Sequence, residues 1–171
     1  MDIVQSGEPV GEVVSLDLLR KQVRNADDSG VYNPDDDALL TQYLAGAVEW
    51  VQDVCQTVLL TTEFTATGKD FCLSFKGYPN PVITSITYLD PLGAPGTITE
   101  WSIEDGRLVI EDAPDVSEAT VVFTAGIGAG NVPEKLKVSV LQTAEYFYDH
   151  SGEAPPVSVR AMIATHRSFA F

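Results

Sequence analysis

Basic side chains are scarce in this chain. Ten Lys and Arg stand against 25 Asp and Glu in 171 residues, a formal net charge of -15. Duplex affinity comes mainly from cations that neutralise phosphates, so this shortage argues against a protein built to grip nucleic acid. The acidic balance leaves two readings: plain solubility, or a wall past which DNA slides without sticking. Cysteine is also sparse. Cys55 and Cys72 are not spaced as metal ligands and have no clustered histidines beside them, so both are expected to be small buried apolar residues in a reducing compartment. No run of 18 apolar residues occurs, and MDIVQSGEPVGEVV has neither a basic n-region nor an apolar h-region. The expectation is a soluble protein made in a cytoplasm, with no membrane partner.

Hydrophobic residues make up 44% of the chain, enough for a buried core in a domain of ordinary size. Residues 33–60, NPDDDALLTQYLAGAVEWVQDVCQTVLL, organise the rest. Leu40, Leu44, Ala47, Val51, Val54 and Val58 recur at three- and four-residue steps, and Leu39, Tyr43, Trp50 and Cys55 widen the same face. The spacing predicts one long amphipathic helix. Asn33 or Asp35 can cap its start, Pro34 suits a first turn, and Asp35, Asp36 and Asp37 place negative charge at the positive end of the helix dipole.

Along the chain, residues 1–14 carry Gly7, Pro9 and Gly11 and are expected to form a flexible or extended arm. SLDLLRKQV reads as a short helix with Ser15 as N-cap, followed by a polar loop. From residue 60 the period falls to about two. TTEFTAT, FCLSFKG, ITSITYLD, ITEWSIED, RLVIED and ATVVFTAG are six candidate strands, with Asp105-Gly106 as a tight-hairpin signal. Connections this short exclude a parallel sheet. After Gly130 a helical stripe returns through Leu136, Val140, Leu141, Ala144, Phe147 and Tyr148, with Pro133 in its first turn. The predicted class is α+β: a small helical bundle of two long amphipathic helices plus a short one, an antiparallel β insert, and an extended C-terminal tail. The expected boundaries are 1–14 for the arm, 15–59 and 131–152 for the helical core, 60–130 for the insert and 153–171 for the tail.

Few residues nominate chemistry. Gly126-Ile127-Gly128-Ala129-Gly130 lies between a strand and a helix, but Asn131 breaks the dinucleotide fingerprint and no acid-bearing strand follows. A strand-to-helix turn is the better reading. Consecutive acids such as Asp35, Asp36 and Asp37 point in different directions on a helix, which suits the dipole better than a metal. His150 and His166 have no ligand partner at useful spacing, and no GxSxG elbow marks a nucleophile. No catalytic residue, metal or cofactor is expected. The tail VSVRAMIATHRSFAF reverses the chain's charge and is unusually apolar for a terminus. It either packs on its own domain or docks into a neighbouring chain.

The ordered set VSLDLLRKQVR, DDDALLTQYLAGAVEWVQDVCQTVLLTTEF, PVITSITYLDPLG, VVFTAGIG and VPEKLKVSVLQTAEYFYDH resembles the head-tail connector, or adaptor, family of tailed bacteriophages. The resemblance spans residues 14–167, and departs from the family at Cys55-Gln56-Thr57, where a Thr-Gly-Arg-like helix end is more usual. It implies a structural virion protein without catalysis. Such adaptors form a homo-oligomeric ring, typically of twelve copies, beneath the portal protein, and receive a stopper or tail-completion protein on the other side. Genomic DNA passes through the lumen without specific binding. The resemblance implies a location at the virion neck, with the host cytoplasm before assembly. By the same resemblance Val159, Arg160, Met162, Ile163, Arg167, Phe169 and Phe171 become portal-docking candidates, and Asp35, Asp36 and Asp37 become candidates for an acidic lumen. The rival is a monomeric β-rich binding module with helical supports.

Overall fold

A computed structural model describes residues 1–23, 34–150 and 155–164, and the chain divides into two compact units. One is a β unit of Met1–Gly11 and Leu60–Ile127; the other is a helical unit of Glu12–Leu59 and the described residues from Gly128 onward. The class is α+β. Among the described residues there are four α-helices, a five-stranded antiparallel sheet and a separate two-stranded hairpin.

The β unit contains β1 (Asp2–Gln5), β2 (Thr62–Gly68), β3 (Val82–Leu89), β4 (Pro95–Ile98), β5 (Ser102–Glu104), β6 (Arg107–Val109) and β7 (Glu118–Ala125). The large sheet runs β1-β2-β7-β3-β4, and every pairing is antiparallel. Strict alternation sets its inner face: Ala119, Val121, Phe123 and Ala125 of β7 are buried, as are Phe64 and Ala66 of β2 and Ile86 of β3. Phe123 stacks on Phe64 at 5.5 Å and meets Phe75 and Tyr78 edge-on at 5.1 and 5.6 Å. Full burial of one such ring contributes about 1.5–3 kcal/mol.

The loops of this unit are held by specific hydrogen bonds. Between β3 and β4 the Asp90 carboxylate accepts the amides of Leu92 and Ala94, each at 2.8 Å, and Ser117 Oγ donates to the Asp90 carbonyl at 2.8 Å. The β5–β6 hairpin turns at Asp105 and Gly106, both with positive φ, 48° and 71°, as a type I′ turn requires.

Several expectations need correction here. Residues 2–5 are an edge strand, extended rather than a flexible arm, because their register with β2 supplies backbone partners that Gly7 and Pro9 do not interrupt. Residues 71–77 form no strand. Leu73 and Phe75 are buried in alternation, but the segment pairs with the β5–β6 hairpin by a single bridge, Ser74–Arg107, with its two amide-to-carbonyl hydrogen bonds. Cys72 falls on the outward side of that alternation and is exposed, whereas Cys55 is buried. The stretch ITEWSIED is divided, its ends belonging to β4 and β5, with Thr99-Glu100-Trp101 outside either.

The helical unit contains α1 (Leu16–Gln22), α2 (Asp37–Cys55), α3 (Glu134–Asp149) and α4 (Val157–Ala164). Ser15 Oγ accepts the Leu18 amide at 3.3 Å and caps α1. A 3-10 turn over Pro34–Asp36 leads into α2, and Asp36 makes no side-chain cap bond; Asn33 lies outside the described residues. Leu40, Ala47, Val51 and Cys55 form the buried stripe of α2. It packs on α3, where Tyr148 meets Tyr43 edge-on at 6.3 Å and Phe147 closes over Gly46. The helix stops at Cys55, short of the predicted Leu60. Gln56 adopts the left-handed conformation (φ 53°, ψ 43°), and the Gln52 side chain accepts the Leu59 amide at 2.8 Å, which fixes the exit path. The tail is not extended over Val157–Ala164 but helical, because Val159 and Ile163 are four residues apart and both bury against the unit.

Two measurements follow from these features. Gln56 carries a Cβ in a conformation that costs L-residues about 1–2 kcal/mol, partly offset on exchange by glycine's freer unfolded chain at about 0.4–1 kcal/mol. Gln56→Gly is expected to stabilise the protein by about 0.5–1 kcal/mol in urea titration. Burial pushes the Tyr78 phenol above its ordinary value of 10.0. The folded state then holds a proton that the unfolded chain releases near pH 10, so this contribution is present below pH 10 and is lost as pH rises above it. Tyr78→Phe should lose less stability than the wild type between pH 8 and about 11, read as the change in urea midpoint.

Candidate functional site

Among the described residues of the helical unit, a concavity lies along α2 and α4. Pro155 is buried, and the Pro156 carbonyl accepts the amides of Val159 and Arg160 at 3.1 and 3.4 Å, which starts α4 directly after the two prolines. Proline suits this place because helix-first residues need no amide partner. Val159 and Ile163 then turn inward, at 5% and 0% exposure, and α4 packs on α2 and α3. Its other side, with Val157, Arg160, Ala161 and Ala164, joins Trp50, Asp53 and Val54 of α2 around an open groove of about 610 Å³. The Arg160 guanidinium stands 5.7 Å from the Trp50 ring centroid, within cation–π range. Val157 is 81% exposed at the groove's edge.

The groove offers an indole face, aliphatic walls, one cation and one carboxylate. These features suit non-covalent contact with another protein surface.

The docking candidates therefore separate. Val159 and Ile163 are core residues of their own unit, Met162 is half-buried, and Arg160 is exposed beside Trp50. Arg167, Phe169 and Phe171 lie outside the described residues.

The three leading acids also differ from one another. Asp35 is exposed, while Asp36 and Asp37 are half-buried. Asp37 accepts from Arg20 Nε at 3.0 Å and Nη2 at 2.5 Å, and Arg20 also pairs with Asp17. The Asp37 hydrogen bond, opposed by some desolvation and aided by Asp17, raises the guanidinium above its ordinary range. This two-point clamp ties α1 to the start of α2, and it neutralises one of the acids assigned to a lumen.

The glycine-rich turn has a structural use. Gly126 sits at φ 148°, where an added Cβ would lie 2.3 Å from the Leu60 carbonyl oxygen. Its amide donates to Pro79 at 2.7 Å and the Gly128 amide donates to Leu59 at 3.0 Å. These two amides are therefore committed to carbonyls and are not offered to a phosphate. Among the described residues no group of three or more His, Cys, Asp and Glu could hold a metal ion, and no helix is long and apolar enough to cross a membrane.

The Arg20–Asp37 clamp and the Trp50–Arg160 contact were not anticipated from sequence. Their members are far apart in the chain, so no local spacing announces them. The four-residue step from Val159 to Ile163 was a usable signal for α4.

No protein-family model and no curated protein sequence matches the chain. Solved structures do. A chain in the neck of an empty gene transfer agent particle, computed with C6 symmetry, is 20% identical, with a TM-score of 0.77 over 100% of this chain and 97% of that one. A chain in the virion of a native gene transfer agent particle gives 20% identity and a TM-score of 0.78 over the same shares, 100% and 97%. A chain in the neck of a native particle computed with C12 symmetry gives 20% identity and 0.67, over 97% of each chain. The chain, taken over essentially its whole length, therefore has the fold of a chain found in gene transfer agent particles and their necks.

Proposed function

We propose that this protein is a structural head-tail connector, an adaptor that forms a ring under the portal of a phage-like particle, links it to a stopper or tail-completion protein, and lets DNA pass. The observation that carries the reading is the end-to-end likeness to chains in particle necks, including necks computed with C6 and C12 symmetry. The coarser part, a structural neck component, rests on that likeness, and the adaptor role adds the ordered sequence resemblance to it. A twelve-copy ring agrees with the higher of the two symmetries. The role requires no catalysis.

Charge fits the same role. At -15 per chain, a ring of such subunits presents acid toward a polyanion, which disfavours adhesion to passing DNA. Asp35 and Asp36 remain the lumen candidates, whereas Asp37 is occupied by Arg20. In docking to the portal, Val159 and Ile163 position α4, and Arg160 and Met162 with Arg167, Phe169 and Phe171 make the contacts.

The test mixes purified protein with portal particles. A chain ending at Ala164 keeps α4 and its packing residues while removing Arg167, Phe169 and Phe171. Full-length protein should decorate the portal, and the shortened chain should bind at least about 30-fold more weakly, the cost of losing an aromatic anchor. Equal binding overturns the docking assignment. Absence of binding by either chain overturns the adaptor reading. A ring structure with its charges mapped tests the acidic passage: Asp35 or Asp36 should face the channel, and an inner wall lined by Lys and Arg would sink the idea.

A further inference from the structure

The five-stranded sheet buries one face only. On its other face the register sets Val4 beside Thr65 and Thr65 beside Val122. The adjoining row aligns Thr67, Thr120, Thr87 and Thr97 across four neighbouring strands. Val4 and Val82 are 65% and 62% exposed. No lysine or arginine occurs in any of the five strands. The outward acids are Asp2, Glu63 and Glu118, each the first or second residue of its strand.

This composition is unusual for a water-facing sheet. Solvated antiparallel faces normally mix charges of both signs, which keeps the sheet soluble and discourages association. Here the centre of the face is uncharged and β-branched, on a chain with 25 acids. Two copies carrying -15 each repel wherever their acids meet. Screening confines that repulsion to about 8 Å at physiological salt, so the local charge of the touching surfaces decides whether copies can meet. This face is a surface of low local charge. Five strands about 4.8 Å apart, each up to about 26 Å long, cover roughly 500 Å² in plane. Side-chain relief raises the accessible area toward the roughly 800 Å² that each partner gives to a standard interface. Threonine hydroxyls supply the donors and acceptors that such an interface needs at about one hydrogen bond per 100–200 Å².

We propose that the outward face of this sheet is the contact surface for a second copy of the chain, and that it packs on a different patch of that copy. A contact between unlike patches repeats in one rotational sense and can close into a ring, as a like-to-like contact cannot. The inference rests on the ring reading given above and adds which surface makes the ring.

The test uses full-length Val122→Lys and Thr87→Lys, each placing one cation on the outward face without touching the core. Urea midpoints near the wild-type value establish that the variants fold. Wild-type protein titrated onto portal particles should fill rings completely, as seen by electron microscopy. Each variant should still bind single sites but leave rings incomplete, with the half-filling concentration raised at least about tenfold by the cost of taking a lysine out of water at the contact. Complete rings at the wild-type concentration overturn the proposal. If wild-type protein ignores the portal, the adaptor reading fails separately, and the face is then tested by sedimentation of the protein alone. Self-association that Val122→Lys abolishes supports the proposal, and a wild type that stays monomeric at about 1 mM, or a variant that associates equally, overturns it.

Discussion

The pairing of β2 with β7 is the constraint on which the β unit depends. Its register runs without interruption from Thr62 opposite Ala125 to Gly68 opposite Ala119. That register puts Phe64 directly across from Phe123, and the aromatic cluster with Phe75 and Tyr78 assembles on the pair. The edge strand β1 bonds only to β2, and β3 reaches the sheet through β7. A slip of β2 by one residue would send Phe64 outward and bring Thr65 in beside Phe123, breaking the ring pair. The inner core and the uncharged outer face therefore come from one choice of register.

The helical unit is organised by α2 in a comparable way. At its first turn Asp37 receives Arg20, along its middle it packs on α3, and near its end Trp50 lies beneath Arg160 of α4. One helix thus ties down the segment before it and the segment after α3. Charge on this unit is used locally, in clamps and at helix starts, while the remainder of the chain's acid stays at the surface. The exposed side of α4 is presented by the burial of Val159 and Ile163 on its other side.

Much of this was legible in residue order, and the failures share a cause. The buried stripe of α2, the cap at Ser15, the Asp105-Gly106 hairpin and the change of period near residue 60 all depend on neighbours within a few positions, where pattern is informative. What went unread depends on distant partners. Strand β1 exists because β2, some sixty residues later, offers a free edge. The end of α2 rests on a left-handed Gln56, a residue type with no marked preference for that conformation. In residues 71–77 the alternation was real as a burial pattern and misleading as a ladder signal, since only one bridge forms. At the candidate site, Val159 and Ile163 stand one helical turn apart, a local pattern, but Trp50 and Arg160 are more than a hundred residues apart.

The hydrogen bond from the Gly128 amide to the Leu59 carbonyl, 3.0 Å, has a kinetic side. It joins the two places where the chain leaves and re-enters the helical unit, so the intervening residues form a closed excursion. When synthesis releases α2, its partner α3 is still absent, and α2 must wait while the whole excursion emerges. Closing so long a loop carries an entropic cost that grows only slowly with length, but an unstructured loop gives nothing back. Pairing β2 with β7 does give something back, and it brings the loop's ends together. The sheet is in this sense the clasp that shortens the effective separation along the chain between α2 and α3.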